Sequence, residues 1–263
     1  MFTLIIIDLL DEQFPKILYD SELNIWIKPI KTNELNTEET YERPTTNTLQ
    51  SLGNQLDPQT IYYLANILQY DKKITKIRLG NSAISDIGTQ YLANVLQHNT
   101  TLVTFDIRYN KIGPAGAQYL ANALLYNTTL TVLHLGYNEI SDEGTQYLAN
   151  ALHQNTTLAA LHLWGNKISN AGARDLANAL KYNRTLIKLD LRYNQIGRAR
   201  ARYLAHALQY NTVGLALSSF ISYISYHLIQ TLTMLSLEQN SIDFQARQYF
   251  EIEMKKVPLR VWL

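Results

Sequence analysis

The sequence contains no cysteine among its 263 residues. Without thiols, the chain forms no disulfide, no thiolate metal site and no cysteine nucleophile. It also has little net charge, because 23 Lys and Arg residues against 22 Asp and Glu residues leave +1 at pH 7. The composition therefore identifies no partner by itself.

Catalytic and targeting motifs are also missing. The sequence contains no G-x-S-x-G, no H-E-x-x-H and no G-x-x-x-x-G-K-[ST] phosphate loop. We therefore predict that the protein is not an enzyme and has no catalytic residues, bound metal or cofactor. The apolar start MFTLIIIDLL lacks a basic region and is interrupted by Asp8 and Asp11, so we predict no secretory signal.

A repeat of 28 residues is the main feature that the sequence does contain. Its clearest copy, 102–129, has apolar residues at positions 1, 4, 6 and 11 and Asn110 at position 9. This spacing predicts a short strand with one buried face, followed by a turn in which the asparagine bonds backbone groups. The second half has apolar residues at helical spacing and predicts an amphipathic helix.

The same frame recurs along most of the chain. Six copies begin at residues 46, 74, 102, 130, 158 and 186, and the frame returns at 232–259. We therefore divide the chain into an N-terminal non-repeat segment (1–45, cap and linker), a repeat domain (46–259) and a closing strand (260–263). LNIWIKPI, within the first segment, alternates as a strand does.

An uncharged block, 213–230, interrupts the repeat domain. Its removal restores the Asn-Thr-Thr-Leu junction found between other repeats, so we predict an insertion, either genuine or a translated intron. A membrane segment is the alternative for this block. Its four serines, two tyrosines, histidine and glutamine argue against that reading.

Stacking these units predicts an α/β solenoid. Strands stack about 4.8 Å apart and helices about 10 Å apart, so the array bends into a horseshoe segment. The parallel strands then line the concave face and the helices the convex face, with right-handed crossovers.

The spacing L-x-x-L-x-L-x-x-N-x-I followed by G-A-x-x-L-A-x-A-L-x-x-N-x-T resembles the leucine-rich repeat of the ribonuclease-inhibitor-like subclass. It looks most like the repeats of nucleotide-binding leucine-rich-repeat (NOD-like) receptors of innate immunity. Because their phosphate-binding loop is missing, the resemblance implies only the sensor part of such a receptor.

This resemblance implies a non-enzymatic protein-interaction module. Extracellular leucine-rich-repeat domains usually close their ends with disulfides, so the absence of cysteine favours a cytoplasmic protein. The alternative is a regulator of a small GTPase resembling Ran GTPase-activating proteins, although no segment matches their activating residues. We expect a monomer that binds a protein and neither nucleic acid nor a membrane.

The candidate binding site lies on the concave face, where positions 2, 3, 5, 7, 8 and 10 should point away from the core. A row of exposed Tyr, Trp and Arg side chains is typical of interaction hot spots, whereas a merely solvated face is the alternative. The predicted partner-binding residues are Arg108, Tyr109, His134, Tyr137, His162, Trp164, Asp190, Arg192 and Tyr193.

Position 5 gives the column Asp106, His134, His162 and Asp190, which should lie about 5 Å apart from strand to strand. Because the four residues lie in a line, we predict a polar ladder rather than a tetrahedral metal site. The histidines should face solvent and make binding sensitive to pH.

The ends of the helices carry three further signals. Position 12 holds N-cap residues such as Gly113 and Ser141, and position 15 is a recurrent glycine that indicates a close approach. Asn127 and its equivalents, which also form glycosylation sequons, should be left-handed C-caps.

Overall fold

The computed structural model describes residues 4–6, 18–20, 25–27, 47–50, 55–197, 234–236 and 260–262. The predicted insertion at 213–230 lies outside these residues. The division of the chain into segments therefore stays a prediction.

The described part of the repeat domain, together with the predicted closing strand, is a parallel sheet of eight short strands with five helices. The strands are β4 (Thr48–Gln50), β5 (Lys76–Arg78), β6 (Thr104–Asp106), β7 (Val132–His134), β8 (Ala160–His162), β9 (Lys188–Asp190), β10 (Met234–Ser236) and β11 (Arg260–Trp262). The helices are α1 (Pro58–Tyr70), α2 (Asp86–His98), α3 (Pro114–Tyr126), α4 (Ser141–Gln154) and α5 (Asn170–Leu180). The strands are hydrogen-bonded in sequence order, as stacked repeats require.

A second, antiparallel sheet lies in the N-terminal segment. Its strands are β1 (Leu4–Ile6), β2 (Leu18–Asp20) and β3 (Ile25–Ile27), paired in that order. The strand predicted in LNIWIKPI is thereby confirmed as β3.

The sheet register preserves the repeat frame. Leu133 of β7 faces Phe105 of β6 and Leu161 of β8, each 28 residues away. Between β9 and β10 the paired leucines, Leu189 and Leu235, are 46 residues apart, which is 18 more than that spacing.

The core forms between the sheet and the helices from the predicted apolar positions. In the copy beginning at Leu102, Phe105, Ile107 and Ile112 are fully buried, as are Leu120 and Leu124 of α3. The predicted strand and helix periodicities are therefore both confirmed.

The asparagine at position 9 links successive repeats, as predicted for this turn. Asn166 Nδ2 donates to the carbonyl oxygen of Leu163 in its own repeat, at 3.0 Å, and to that of Leu135 in the preceding repeat, at 2.8 Å. Asn110, Asn138 and Asn194 make the equivalent bonds. Ser82, the exception, bonds through its hydroxyl to the Gly80 carbonyl of its own repeat, at 3.4 Å.

A second asparagine row lies at the C-terminal ends of the helices, but its predicted left-handed conformation is wrong. Asn127 has φ −73° and ψ 129°. Its Oδ1 accepts from the backbone N–H groups of Thr129 and Leu130, while its Nδ2 donates to the Leu96 carbonyl of the preceding repeat. The side chain therefore makes the turn into the next strand, and no left-handed residue is needed there.

The predicted helix N-caps are confirmed at Gly113 of α3 but wrong at α4, where Ser141 is the first residue of the helix rather than its cap. Gly113 has no side chain that could bond the first N–H groups of α3. Instead, Asp86 Oδ1 of α2 accepts from the backbone N–H groups of Gly113 and Gly116, at 2.7 and 2.9 Å. The close approach predicted at position 15 is present, since a Cβ on Gly116 would lie 2.6 Å from Asp86 Oδ1.

Candidate functional site

The concave face is formed by the strand side chains that point away from the helices, at repeat positions 3 and 5, and by two residues of the turn after each strand, at positions 7 and 8. We define the concave face by these four positions. The sheet register aligns positions 3 and 5 in straight rows across the strands. Side chains from different repeats are therefore neighbours on this face.

Two arginines on this face are fixed by aspartates two residues earlier. Arg108 donates through Nε and Nη2 to the two carboxylate oxygens of Asp106, at 2.9 and 2.8 Å. Arg192 makes the same paired contacts with Asp190, at 2.9 and 2.6 Å. The hydrogen bonds that Arg108 donates to Asp106 raise the pKa of Arg108. Both guanidinium groups are thus charged and held in one orientation.

The position 5 column forms the predicted ladder. The rings of His134 and His162 stack with centroids 4.4 Å apart, and His162 Nδ1 lies 3.5 Å from Asp190 Oδ2. Within the described residues, no three potential ligands are grouped as a metal site requires. The column is a line of side-chain contacts.

The exposure predicted for this column is wrong. Asp106, His162 and Asp190 are only 5%, 8% and 1% exposed, and His134 is half-buried. The aspartates are buried because each bonds to the arginine of its own repeat, and His162 because it lies between His134 and Asp190. These residues therefore position neighbouring side chains.

Burial affects the ionisation of the ladder. Desolvation, reinforced by the neighbouring His162, lowers the pKa of His134 to about 4. At Asp190 burial favours the neutral acid, but hydrogen bonds from His162 and Arg192 outweigh it and hold the carboxyl pKa well below its usual range. At neutral pH His134 is thus uncharged and Asp190 is ionised.

Four aromatic side chains come together beside the ladder. Tyr109 and Tyr137 stack with centroids 5.0 Å apart and planes 10° apart, and Trp164 meets Tyr137 nearly at right angles at 4.6 Å. Tyr193 lies 6.5 Å from Tyr137. The three tyrosines are 49%, 44% and 50% exposed. We call these four residues the aromatic cluster.

Two glycines make room for this cluster. A Cβ on Gly136 would overlap the Trp164 indole, and a Cβ on Gly165 would lie 3.2 Å from Tyr137 Cγ. Trp164 therefore occupies the space beside Gly136 of the preceding repeat, while Tyr137 lies against Gly165 of the following repeat. The two neighbouring repeats have complementary large and small residues at positions 7 and 8.

The tyrosines have an uncommon backbone conformation. Tyr109, Tyr137 and Tyr193 have φ values of 55°, 51° and 54°, in the left-handed region. At the same position 8, the other two described repeats carry Asn81 (φ 56°) and Gly165 (φ 68°), the residue types that tolerate this conformation best. The turn thus imposes the same backbone on each of these five described repeats, whatever side chain it carries.

The sequence prediction of this site omitted three cations. Lys76 and Arg78 of β5 and Lys188 of β9 lie in the same rows as the predicted residues, on either side of β6, β7 and β8. Their positions in the repeat, 3 and 5, were the signal that could have identified them.

Repeats, sheet and helices together define an α/β leucine-rich-repeat solenoid. A sequence profile described as "Leucine Rich repeat" matches residues 98–121, 126–149, 154–177 and 182–199. Leucine-rich repeats are therefore present in this chain. None of the described helices combines the length and the apolar character that a bilayer span requires.

Solved structures of similar fold include leiomodin-1 actin-binding site 2, at 24% identity and a TM-score of 0.49, over 56% of this chain and 86% of that one. The tropomodulin C-terminal domain of Caenorhabditis elegans is 16% identical, with a TM-score of 0.42, over 63% of this chain and 84% of that one. An internalin of Listeria monocytogenes is 20% identical, with a TM-score of 0.46, over 82% of this chain and 52% of that one. No curated protein matches the chain.

Proposed function

We propose that this protein is a non-enzymatic interaction module that binds a protein partner through the concave face. The observation that carries the proposal is the set of three exposed tyrosines held in the left-handed conformation. They belong to the aromatic cluster, beside the two fixed arginines.

Backbone energetics argue that these tyrosines are present for a reason other than folding. A non-glycine residue with a Cβ in the left-handed region costs about 1 kcal/mol or more, and asparagine or glycine reduces that cost. This chain uses Asn81 and Gly165 at the same position in other repeats. The turn imposes the conformation but does not require a tyrosine there, and strained backbone of this kind is commonly found at functional sites.

The geometry also suits binding. Large aromatic side chains provide contact area with few rotatable bonds, and the rings already pack against each other before a partner arrives. Arg108 and Arg192 are likewise ordered in advance by their aspartates. Preorganisation reduces the entropy lost on association, so more of the contact energy appears as affinity.

Cellular context is part of the same proposal. We propose a cytoplasmic protein that acts as the sensor or regulatory part of an innate-immune-type receptor, supported by the resemblance of its repeats. The asparagines of the four glycosylation sequons also support a compartment without N-glycosylation, because they are buried. Asn99, Asn127, Asn155 and Asn183 are 2–7% exposed. Their amide groups donate to the carbonyl groups of preceding repeats.

The test compares two double variants that each replace exposed tyrosines with asparagine. Tyr109→Asn with Tyr193→Asn alters the concave face, whereas Tyr126→Asn with Tyr182→Asn alters helix ends, where those tyrosines are 64% and 63% exposed. Proteins of a source-cell lysate retained by each immobilised variant and by the parent are compared by quantitative mass spectrometry. The purified partner is then titrated calorimetrically.

We expect at least one partner to be retained by the parent and the helix-end variant but not by the concave variant. Trp164→Ala should weaken binding of the purified partner by about 2 kcal/mol if Trp164 is a hot spot. If every retained protein binds the concave variant as well as the parent, the proposal is wrong. A GTP-hydrolysis assay with a small GTPase separately tests the sequence-based alternative.

A further inference from the structure

We infer that the partner presents an acidic segment, with carboxylates on both sides of an apolar centre. This inference rests on the proposed function and specifies the chemistry of the ligand. It comes from the distribution of charge across the concave face, which differs sharply from the nearly neutral balance of the whole chain.

The position 3 row shows the pattern most directly. In sheet register, from β4 to β11, it reads Thr48, Lys76, Thr104, Val132, Ala160, Lys188, Met234 and Arg260. Lys76 and Lys188 flank three residues that are small, uncharged and half-buried. A ligand lying across this row meets a cation, then an apolar centre, then a second cation.

The neighbouring rows reinforce the same arrangement. Arg78 lies on β5 in the position 5 row, Arg108 follows β6, and Arg192 follows β9. The carboxylates in these described rows are Asp106 and Asp190, which are buried beneath their arginines. Five cations thus surround a centre in which His134 is uncharged at neutral pH. Excess positive charge of this kind attracts an acidic partner and accelerates its association.

The spacing distinguishes an acidic protein segment from nucleic acid. Four strand intervals separate Lys76 from Lys188, which is about 19 Å, and an extended segment covers that length with about six residues. A nucleic acid carries a charge at every nucleotide and needs cations along its whole path. Here the two lysines of the position 3 row lie on β5 and β9, and the three strands between them carry Thr104, Val132 and Ala160 in that row.

The experiment selects binders from a displayed library of random dodecamer peptides on the immobilised full chain. Enriched peptides are then synthesised and titrated against the parent, against Lys76→Glu with Arg78→Glu, against the matched control Lys72→Glu with Lys73→Glu, and against Trp164→Ala. All four target residues are exposed and lie within seven residues of one another, but Lys72 and Lys73 lie outside the strand. Circular dichroism melts verify folding, and Lys76→Gln with Arg78→Gln replaces the charge reversal if that variant unfolds.

We expect enriched peptides to carry Asp or Glu on both sides of apolar or aromatic residues. Their affinity should fall at least tenfold in the strand variant and with added salt, and remain within twofold in the control. Enrichment of basic or uncharged peptides, an equal loss in the control, or binding of oligonucleotides in preference to acidic peptides would overturn the inference. Peptides that lose affinity with Trp164→Ala but not with the strand variant would leave the proposed function standing and remove this inference; peptides insensitive to both changes would count against both.

Discussion

The two asparagine rows and the concave face are repeated very differently along the solenoid. Position 9 is asparagine in Asn110, Asn138, Asn166 and Asn194, and each side chain bonds to its own and the preceding repeat. Position 7 changes with every step over the same strands, from Arg108 through Gly136 and Trp164 to Arg192. A side chain that joins repeats recurs at the same position in most of them, whereas a side chain that contacts a ligand is free to vary.

The comparison assigns stability to the repeated positions and recognition to the variable ones. Each buried asparagine satisfies backbone carbonyl groups that would otherwise be unpaired. Residues of the concave face bond mainly to one another, as Arg192 does to Asp190. Substitutions in the two regions should therefore give separable effects.

The largest effect is expected in the core beneath the concave face. Leu133 is fully buried on β7, so Leu133→Ala should lower the free energy of unfolding by about 2 to 5 kcal/mol through lost burial and a new cavity. Val132, the preceding residue, is half-buried on the opposite side of the strand. Denaturant unfolding of Val132→Ala should show a smaller loss. Equal losses would mean that the two sides of the strand do not differ as the structure indicates.

The asparagine rows should come next. Asn166→Ala leaves the carbonyl groups of Leu135 and Leu163 without this donor in a buried site, which should cost about 2 to 3 kcal/mol. Asn150 is an exposed residue within α4, so Asn150→Ala is the matched control and should be neutral or slightly stabilising. Chemical denaturation of both variants measures the difference. A loss below 0.5 kcal/mol for Asn166→Ala, within the range of surface substitutions, would remove the structural role given to this row.

The periodicity of the sequence predicts which residues recur, and this was enough for the strands, the helices, the core leucines and the asparagine turn at position 9. It does not show which side chains from different repeats touch. Three features depend on such contacts. Asp86 caps α3, Asp190 is buried under Arg192, and the Trp164 indole packs into the space beside Gly136. The left-handed tyrosines were missed for another reason, because tyrosine carries no sequence signal for that conformation.

Lowering the pH should reduce the free energy of unfolding, because His134 in the polar ladder is held uncharged in the folded protein. The pKa of His134 in the folded protein is about 4, below its ordinary value of 6.5, so between these values the unfolded chain binds a proton that the folded chain does not. The contribution of this group to stability is therefore complete above pH 6.5 and is lost as the pH falls towards 4. The loss should be about 1 to 3 kcal/mol.

The measurement is the free energy of unfolding between pH 7 and pH 4. His134→Gln should reduce its pH dependence, whereas His98→Gln, at the exposed end of α2, should leave it unchanged. Slopes are compared rather than absolute stabilities, since either substitution also changes packing. A parent and a His134→Gln variant with the same slope would contradict the link between the buried ladder and acid sensitivity.

The smallest effect is the most direct test of the contrast between folding and recognition. Tyr109 has φ 55°, and Asn81 has φ 56° at the same position one repeat earlier. Tyr109→Asn should therefore relieve backbone strain and leave the protein as stable as the parent or more stable by up to about 1 kcal/mol, despite losing ring contacts with Tyr137.

Tyr119 of α3 packs against the core, so Tyr119→Asn should be clearly destabilising in the same thermal melts. A stable Tyr109→Asn protein that no longer binds its partner is the expected result, because improved folding at the expense of activity marks a residue kept for function. If Tyr109→Asn destabilises the fold as much as Tyr119→Asn does, the tyrosine serves packing, and the strain argument for a binding face fails.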